Sequence, residues 1–263
     1  MKITFAHFGE AVASSRLRAI IPQEALGRIG VGKGKDVLVY GKHFVTDEQL
    51  KPFKHRIYDV CDDHFDTPDL KDYYLKHCIL ADAVSCNSEA MKVKIKQVTG
   101  RDAFVVSEPY ESKRLPPSIG AKLLWYGHAS NFADLERVSP NLKYPLLALS
   151  NHPDCAPWSL ETQRQALKGD CIVIIPTGKS PYKSENRMVE AVRNGKYVCA
   201  EHLPAYEKFS QFFNLGSIPE HIDKALSNPK DSLERIRAAQ EFIEVRYSPD
   251  TIARQWLEVI HAL

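Results

Sequence analysis

Between the apolar runs Cys171–Ile175 and Tyr197–Ala200 lies the stretch Pro176-Thr-Gly-Lys179-Ser-Pro-Tyr182-Lys183-Ser184-Glu-Asn186-Arg187-Met-Val-Glu190. It reads as strand end, loop, helix, turn and strand, with the helix opening at Ser184 and running to Arg193. A helix start presents backbone N–H groups without intrahelical partners and the positive end of the helix dipole. Lys179, Lys183 and Arg187 add cationic side chains there, and Ser184 and Asn186 add short polar ones. Together these groups have the chemistry of a phosphate site. Glu190, almost two turns further on, is a carboxylate suited to accept hydrogen bonds from hydroxyls. Phosphate and polyol recognition in one segment point to a nucleotide sugar as ligand. The plainer reading makes Ser184 only an N-cap and the lysines only solvated.

Other chemistry-bearing residues gather near strand ends. Gly9 follows the first strand, and Arg16 and Arg18 open the helix after it, where an arginine pair suits phosphate or carboxylate. Asp59-Val-Cys-Asp-Asp-His64-Phe-Asp66 packs four acids and a histidine together. It reads as a cleft edge carrying His64, as a cation site, or as a polar loop capping the next helix. His128 follows Gly127 after a third strand. The chain has ten histidines but no H-E-x-x-H spacing. Gly32-Lys-Gly-Lys35 lacks the full phosphate-loop spacing and precedes a strand. Lys92, Lys94, Lys96, Lys113 and Arg114 read either as steering for a polyanionic acceptor or as solubilising surface.

The elements that must position these residues alternate. Strands are expected at Ile3–Phe8, Asp36–Tyr40, Arg56–Val60, Ala83–Cys86 and Ala103–Val106, with helices at Ser15–Leu26, Pro68–Leu80 and Ser88–Val98. Ser112–Gly120, with paired prolines and a glycine, reads as a linker. Alternation then restarts with strands at Lys122–Tyr126, Leu146–Leu149, Cys171–Ile175, Tyr197–Ala200 and Phe212–Leu215. Helices are expected at Asn131–Val138, Ser159–Leu167, Ser184–Arg193, Pro219–Leu226, Asp231–Val245 and Pro249–His261. Strands spaced by helices mean βαβ units and parallel sheets. The expected class is α/β, with two Rossmann-like domains facing a cleft: residues 1–115, residues 120–245, and a C-terminal helix over 246–263 that crosses back to the first domain. Parallel sheets bind ligands at the carboxyl ends of their strands, where Gly9, Asp62, Gly127, His128 and the Lys179–Lys183 loop fall.

Composition bounds the function classes. The 263 residues are 44% hydrophobic and 26% charged, as in ordinary globular chains. Net charge is +2, from 35 basic and 33 acidic side chains, so obligate nucleic-acid binding is not implied. Six cysteines without a C-x-x-C pair fit buried, reduced thiols in a cytoplasmic protein. No apolar run approaches the roughly 18 residues of a membrane span, and the first residues are too short and polar for a signal peptide.

With those positions placed, the chain resembles the family 4 type of glycosyltransferases with the GT-B fold. Ala13-Ser-Ser-Arg-Leu-Arg18 is similar to the polar turn that opens the first helix. Ala81-Asp-Ala-Val-Ser-Cys-Asn-Ser-Glu89 is similar to a strand-to-helix step of that family. Leu123-Leu-Trp-Tyr-Gly-His128 resembles the first strand and glycine turn of the donor domain. Lys183-Ser-Glu-Asn-Arg-Met-Val-Glu190-Ala, the most specific piece, resembles the nucleotide-sugar segment.

The resemblance implies transfer of a sugar from a nucleotide-diphosphate sugar, with retention at the anomeric carbon and without metal or further cofactor. It implies that Lys183, Ser184, Asn186 and Arg187, with Lys179, hold the diphosphate, and that Glu190 binds ribose or sugar hydroxyls. Gly9 gives close backbone access and His128 lies beside the donor, while Arg16 and His64 line the other wall. His64, Arg187 and Lys183 are the expected catalytic groups. The acceptor is open among a glycan, a lipid-linked sugar and a nucleic acid, and so is the oligomeric state. The family carries two glutamates with seven residues between them. Glu190 matches the second, and Tyr182 stands in the place of the first. An inactive nucleotide-sugar binding module and an epimerase or phosphorylase on the same fold are the alternative readings.

Overall fold

The computed structural model describes residues 1–42, 44–178 and 180–263. The chain divides into two compact units. The first comprises Met1–Glu111, Tyr182–Ser184 and Arg246–Leu263, and the second comprises Ser112–Pro181 and Glu185–Val245.

The first unit is built on a five-stranded parallel sheet of β1 (Ile3–Phe5), β2 (Val37–Tyr40), β3 (His55–Val60), β4 (Ala83–Cys86) and β5 (Phe104–Val105), in that spatial order. Side chains alternate across a strand, and the alternation sorts two cores. Ile3, Phe5, Val37, Val39 and Ile57 join Ala25 and Leu26 of α2 (Ile21–Arg28) and Ile252, Trp256 and Val259 of the C-terminal helix Pro249–His261. Leu38, Tyr40, Tyr58, Val60 and Val84 join Tyr74 and Cys78 of α4 (Pro68–Leu80) and Met91 and Ile95 of α5 (Glu89–Thr99). A short α1 (Ala13–Ser15) runs through a π-helical turn, Arg16–Ile20, into α2, and α3 (Asp47–Leu50) carries a capping box from Thr46 to Gln49. Ser88 accepts from the Met91 N–H as the N-cap of α5, and Gly100 closes that helix in the left-handed region.

The second unit holds a parallel sheet ordered β10-β9-β6-β7-β8, with β6 at Lys122–Tyr126, β7 at Leu146–Ser150, β8 at Ala156–Pro157, β9 at Cys171–Ile175 and β10 at Tyr197–Ala200. β9, inside the sheet, and β10, at its edge, are both buried at every residue, as parallel strands covered on both faces are. The helices are α6 (Phe132–Val138), α7 (Leu160–Lys168), α8 (Asn186–Arg193), α9 (Ile218–Ser227) and α10 (Pro229–Arg246), followed by α11 (Pro249–His261). Strand order reverses at β6: the chain leaves β6 toward β7 on one side, whereas β9, its other neighbour, continues to β10 on the opposite side.

Three expectations are corrected. The helix expected from Ser184 begins at Asn186, with Glu185 at its N-cap and no side chain capping it. The strand expected at Phe212–Leu215 is a single bridge from Leu215 to Ala200. Ser112–Gly120 is bonded along its length to the second unit: Leu115 N–H donates to the Arg193 carbonyl at 3.1 Å and Ser118 N–H to the Gly195 carbonyl at 2.9 Å. Lys196, buried, donates to Ser118 Oγ at 2.5 Å.

The Trp256 ring meets Phe5 edge-on at 5.1 Å and lies under the Arg18 guanidinium at 5.6 Å. Trp256→Ala is expected to remove about 3–5 kcal/mol from the first unit in urea unfolding. His77 is buried, with Nδ1 at 2.9 Å from Tyr40 Oη. Burial, with Lys76 adding to it, holds the imidazole below its ordinary 6.5. The unfolded chain therefore takes up the proton first as pH falls. Stability is expected to decline as pH falls through the ordinary histidine value of about 6.5, and His77→Gln to flatten that decline in the urea midpoint.

Candidate functional site

In an open parallel sheet, the crevice outside the carboxyl ends of the strands is widest where strand order reverses. In the second unit that place lies between β6 and β9. β6 ends at Tyr126, and the N–H of Gly127, the next residue, donates to the Leu149 carbonyl at 3.1 Å. A Cβ at Gly127 would lie 3.0 Å from Trp125 Cζ2, a tight contact that the indole would have to yield to by a few tenths of an ångström, and 3.6 Å from Arg187 Nη1, at ordinary contact distance. Arg187 stands in the first turn of α8, which follows β9. Tyr126 Oη donates to the Arg187 carbonyl at 3.1 Å, and the guanidinium lies near enough to the buried Tyr206 hydroxyl to act on its electrostatics. Burial raises both phenols, so they stay neutral donors. Arg187 Nη1 is buried and has no hydrogen-bond partner, and Trp125 Nε1 is in the same state. A buried guanidinium N–H without an acceptor costs about 1–3 kcal/mol or more. It stands beside the uncapped first turn of α8, whose amides and dipole favour an anion.

Glu190 lies one turn along α8, half-buried, and its Oε1 accepts from Asn194 Nδ2 at 3.2 Å. Glu185 is buried and ion-paired with Lys208 at 2.8 Å, so its carboxylate is committed. His128 is exposed and caps the turn Ala129–Asn131, and its Nδ1 accepts the Ser130 N–H at 3.2 Å. The neutral ring therefore carries its hydrogen on Nε2. Lys179 lies outside the described residues.

Lys183 and Ser184 belong to the first unit and do not form the start of α8. Ser184 Oγ donates to Glu108 Oε2 at 2.5 Å, and Lys183 Nζ lies 3.8 Å from Asp62 Oδ1. Tyr182 packs against the core of that unit, with Lys94 Nζ 5.8 Å above its ring. Burial pushes the Asp62 carboxyl up, but Lys42, bonded to it at 2.8 Å, together with Lys183 and His64 brings it below the usual range. His64 is held below its ordinary value by burial, against the pull of Asp62. The acidic run of residues 59–66 is largely spent on cations: Asp59 on Arg18, Asp62 on Lys42 and Asp66 on Lys94. Among the described residues no group of three His, Cys, Asp or Glu is placed to hold a metal.

Arg16 makes a two-pronged pair with Glu111, at 2.6 and 2.9 Å, and donates to the Glu10 carbonyl. Arg18 does the same with Asp59, at 2.9 and 2.5 Å, and donates to the Val106 carbonyl. Gly9 turns the chain after β1, with its N–H on His7 Nδ1 at 3.1 Å. A cleft of about 360 Å³ opens at the carboxyl ends of β1 and β2, lined by His7, Ser14, Gly41, Lys42 and Cys61 among others. Arg16, His64 and Gly9 are not among its lining residues. Of the basic stripe, Lys94 pairs with Asp66, Lys96 with Asp102, and Arg114 bonds Gln240.

No protein-family model matches the chain, and no curated protein sequence does. The solved structures do. The chain aligns over the whole of both chains with HepE of Anabaena in complex with UDP-glucose, at TM-score 0.72 and 13% identity. The fold is GT-B. A TarM variant from S. aureus, in complex with fondaparinux, alpha-GlcNAc-glycerol and UDP, aligns at TM-score 0.63 and 13% identity. That alignment covers 85% of this chain and 55% of TarM, so the chain spans about half of that protein. An alpha-glucosyltransferase in complex with UDP-glucose and DNA aligns at TM-score 0.60 and 11% identity, over 92% of this chain and 84% of that one.

Within this GT-B chain, the structure brings Gly127, Arg187 and Tyr206 to one place in the second unit, and Lys183, Asp62 and His64 to one place in the first. Tyr206 and Trp125 escape sequence reasoning because each reads as core, and only the structure sets them near Arg187 and Gly127. Gly127→Ala is expected to cost the fold about 1–3 kcal/mol by overpacking against Trp125. The shift of the urea unfolding midpoint reads that cost.

Proposed function

We propose that the protein is a glycosyltransferase that moves a sugar from a nucleotide-diphosphate sugar to an acceptor, with retention at the anomeric carbon and without a metal ion. The observation that carries this reading is the buried, unpartnered Arg187 Nη1 beside Gly127, at the strand-order reversal and at the uncapped start of α8. A diphosphate oxygen supplies the missing acceptor. Glycosyl–phosphate cleavage builds negative charge on the leaving group, and donors already in place stabilise it without reorganisation. Arg187 and the first-turn amides supply the positive end that a cation would otherwise provide. Glu190 accepts from ribose or sugar hydroxyls, and His128 Nε2–H donates beside them. Lys179, in the loop after β9, is a further phosphate ligand.

In this reading the first unit takes the acceptor in the cleft lined by His7, Ser14 and Lys42, with Lys183 and His64 setting the charge around Asp62. Among the described residues no helix is long and apolar enough to cross a membrane, and all six cysteines are free thiols. Both facts support action in a reducing, cytoplasmic setting. A second reading, binding without turnover, is favoured by one observation. Tyr182 replaces a glutamate and lies under Lys94, and the nearest alternative carboxylate, Glu185, is held by Lys208.

A panel of nucleoside diphosphates and their sugars tests both readings. A ligand present at about 100 times its Kd adds about 2.7 kcal/mol of stability, visible as a raised unfolding midpoint. Stabilisation by one nucleotide, lost in Arg187→Ala, is the expected result, and silence across the panel overturns the donor site. Release of nucleotide from the stabilising sugar donor, undiminished in EDTA, separates the enzyme from a binding module.

A further inference from the structure

The amide of Asn194 has no part in the reading above, yet it is placed on the one carboxylate assigned to the donor. Asn194 lies one turn after Glu190 on the same face of α8 and is buried. Its Nδ2 has three acceptors: the Glu190 carbonyl at 2.8 Å, Glu190 Oε1 at 3.2 Å and Ser112 Oγ at 2.9 Å. Two hydrogens serve three acceptors, so one is shared between the carbonyl and carboxylate of Glu190 and the other goes to Ser112.

The surrounding backbone fixes where this amide can be. Gly195 N–H donates to the Val192 carbonyl and Lys196 N–H to the Ala191 carbonyl, at 2.9 and 3.0 Å. With Gly195 at φ +73° this is a Schellman ending. A Cβ at Gly195 would fall 2.2 Å from the Pro116 carbonyl oxygen, so the Ser112–Ser118 segment lies directly against the helix end. Arg193 Nε donates to the Ser112 carbonyl at 3.3 Å, and Gln240, fully buried, donates to the carbonyls of Leu115 and Val192 at 2.9 and 3.0 Å. A helix C-terminus needs none of these side chains to reach a carboxylate on its preceding turn.

We propose that Asn194 is a positioning residue that holds the Glu190 carboxylate in its donor-binding orientation, and that Ser112 orients Asn194. The proposal rests on the donor-site reading of Glu190. Asn194 itself touches no substrate.

The test compares wild type, Asn194→Ala, Glu190→Ala and the double variant, with UDP and UDP-glucose as probes in calorimetry. Ser112→Ala removes only the outer bond and serves where Asn194→Ala does not fold. A hydrogen bond to a charged group is worth about tenfold in affinity. Asn194→Ala is expected to weaken the binding of whichever probe Glu190 contacts by about that factor, and to have no further effect once Glu190 is alanine. Ser112→Ala should show a smaller loss of the same kind. Losses that multiply in the double variant, or an Asn194→Ala affinity equal to wild type, overturn the proposal. Thermal unfolding of the same proteins without ligand reads the tie itself. If neither probe binds wild type, the donor reading fails by itself. Non-additive midpoint shifts then keep the Asn194–Glu190 tie, and additive shifts overturn it.

Discussion

β6 and β9 lie side by side, yet the chain leaving β6 runs out toward β7 and the chain leaving β9 runs out toward β10 on the other side. Neither connection can fill the space between the two strand ends, and the constraint comes from topology before any side chain is chosen. Whatever lines that space must be polar or bare, because it cannot be closed by packing. Gly127 is bare, and Arg187 enters from the first turn of α8, the helix that follows β9. An arginine so placed would ordinarily find a carboxylate. Here its Nη1 is buried without an acceptor. The second unit thus carries a donor set that its own fold does not satisfy, which is what preorganised electrostatic binding requires.

The first unit settles its charges differently. Arg18 and Asp59 are buried together, bonded twice and braced by Ser85 Oγ at 2.7 Å. Arg16 and Glu111 repeat the two-pronged geometry. Such pairs bring little net stability, but removing one member leaves an uncompensated charge, so they act as registers for the elements that carry them. Arg18 joins the π-helical turn after β1 to β3 and to the chain after β5, and holds the carboxyl ends of those strands in place. Two arginines that look in sequence like anion ligands are therefore paired inside the unit.

Which features were legible depended on whether their cause was local. The strands came from apolar runs and the βαβ class from their spacing. Gly127 and Arg187 could be read because both follow strands, and parallel sheets bind at those ends. The start of α8 could not. Ser184 followed by Glu185 has the composition of an N-cap, but its hydroxyl goes to Glu108, 76 residues away. Arg16 read as a partner for phosphate or carboxylate, but the carboxylate it takes, Glu111, could not be named because it is 95 residues off. The Ser112–Gly120 segment, with its prolines, looked like a free linker because the partners that bind it, Arg193, Gly195 and Gln240, are distant in sequence. Long-range pairing overrode local propensity at each of these places.

Glu185 and Glu190 make the same point within one segment. Both are glutamates at or in α8, five positions apart, and spacing alone gives no reason to separate them. Glu185 is buried with its carboxylate on Lys208, a charge neutralised by a charge. Glu190 is half-buried, and its Oε1 is met by a neutral amide. Lys208 meets one carboxylate charge to charge, and Asn194, itself bonded to Ser112, donates an amide N–H to the other. What meets each carboxylate is set by the groups the fold brings to it and not by its place in a motif.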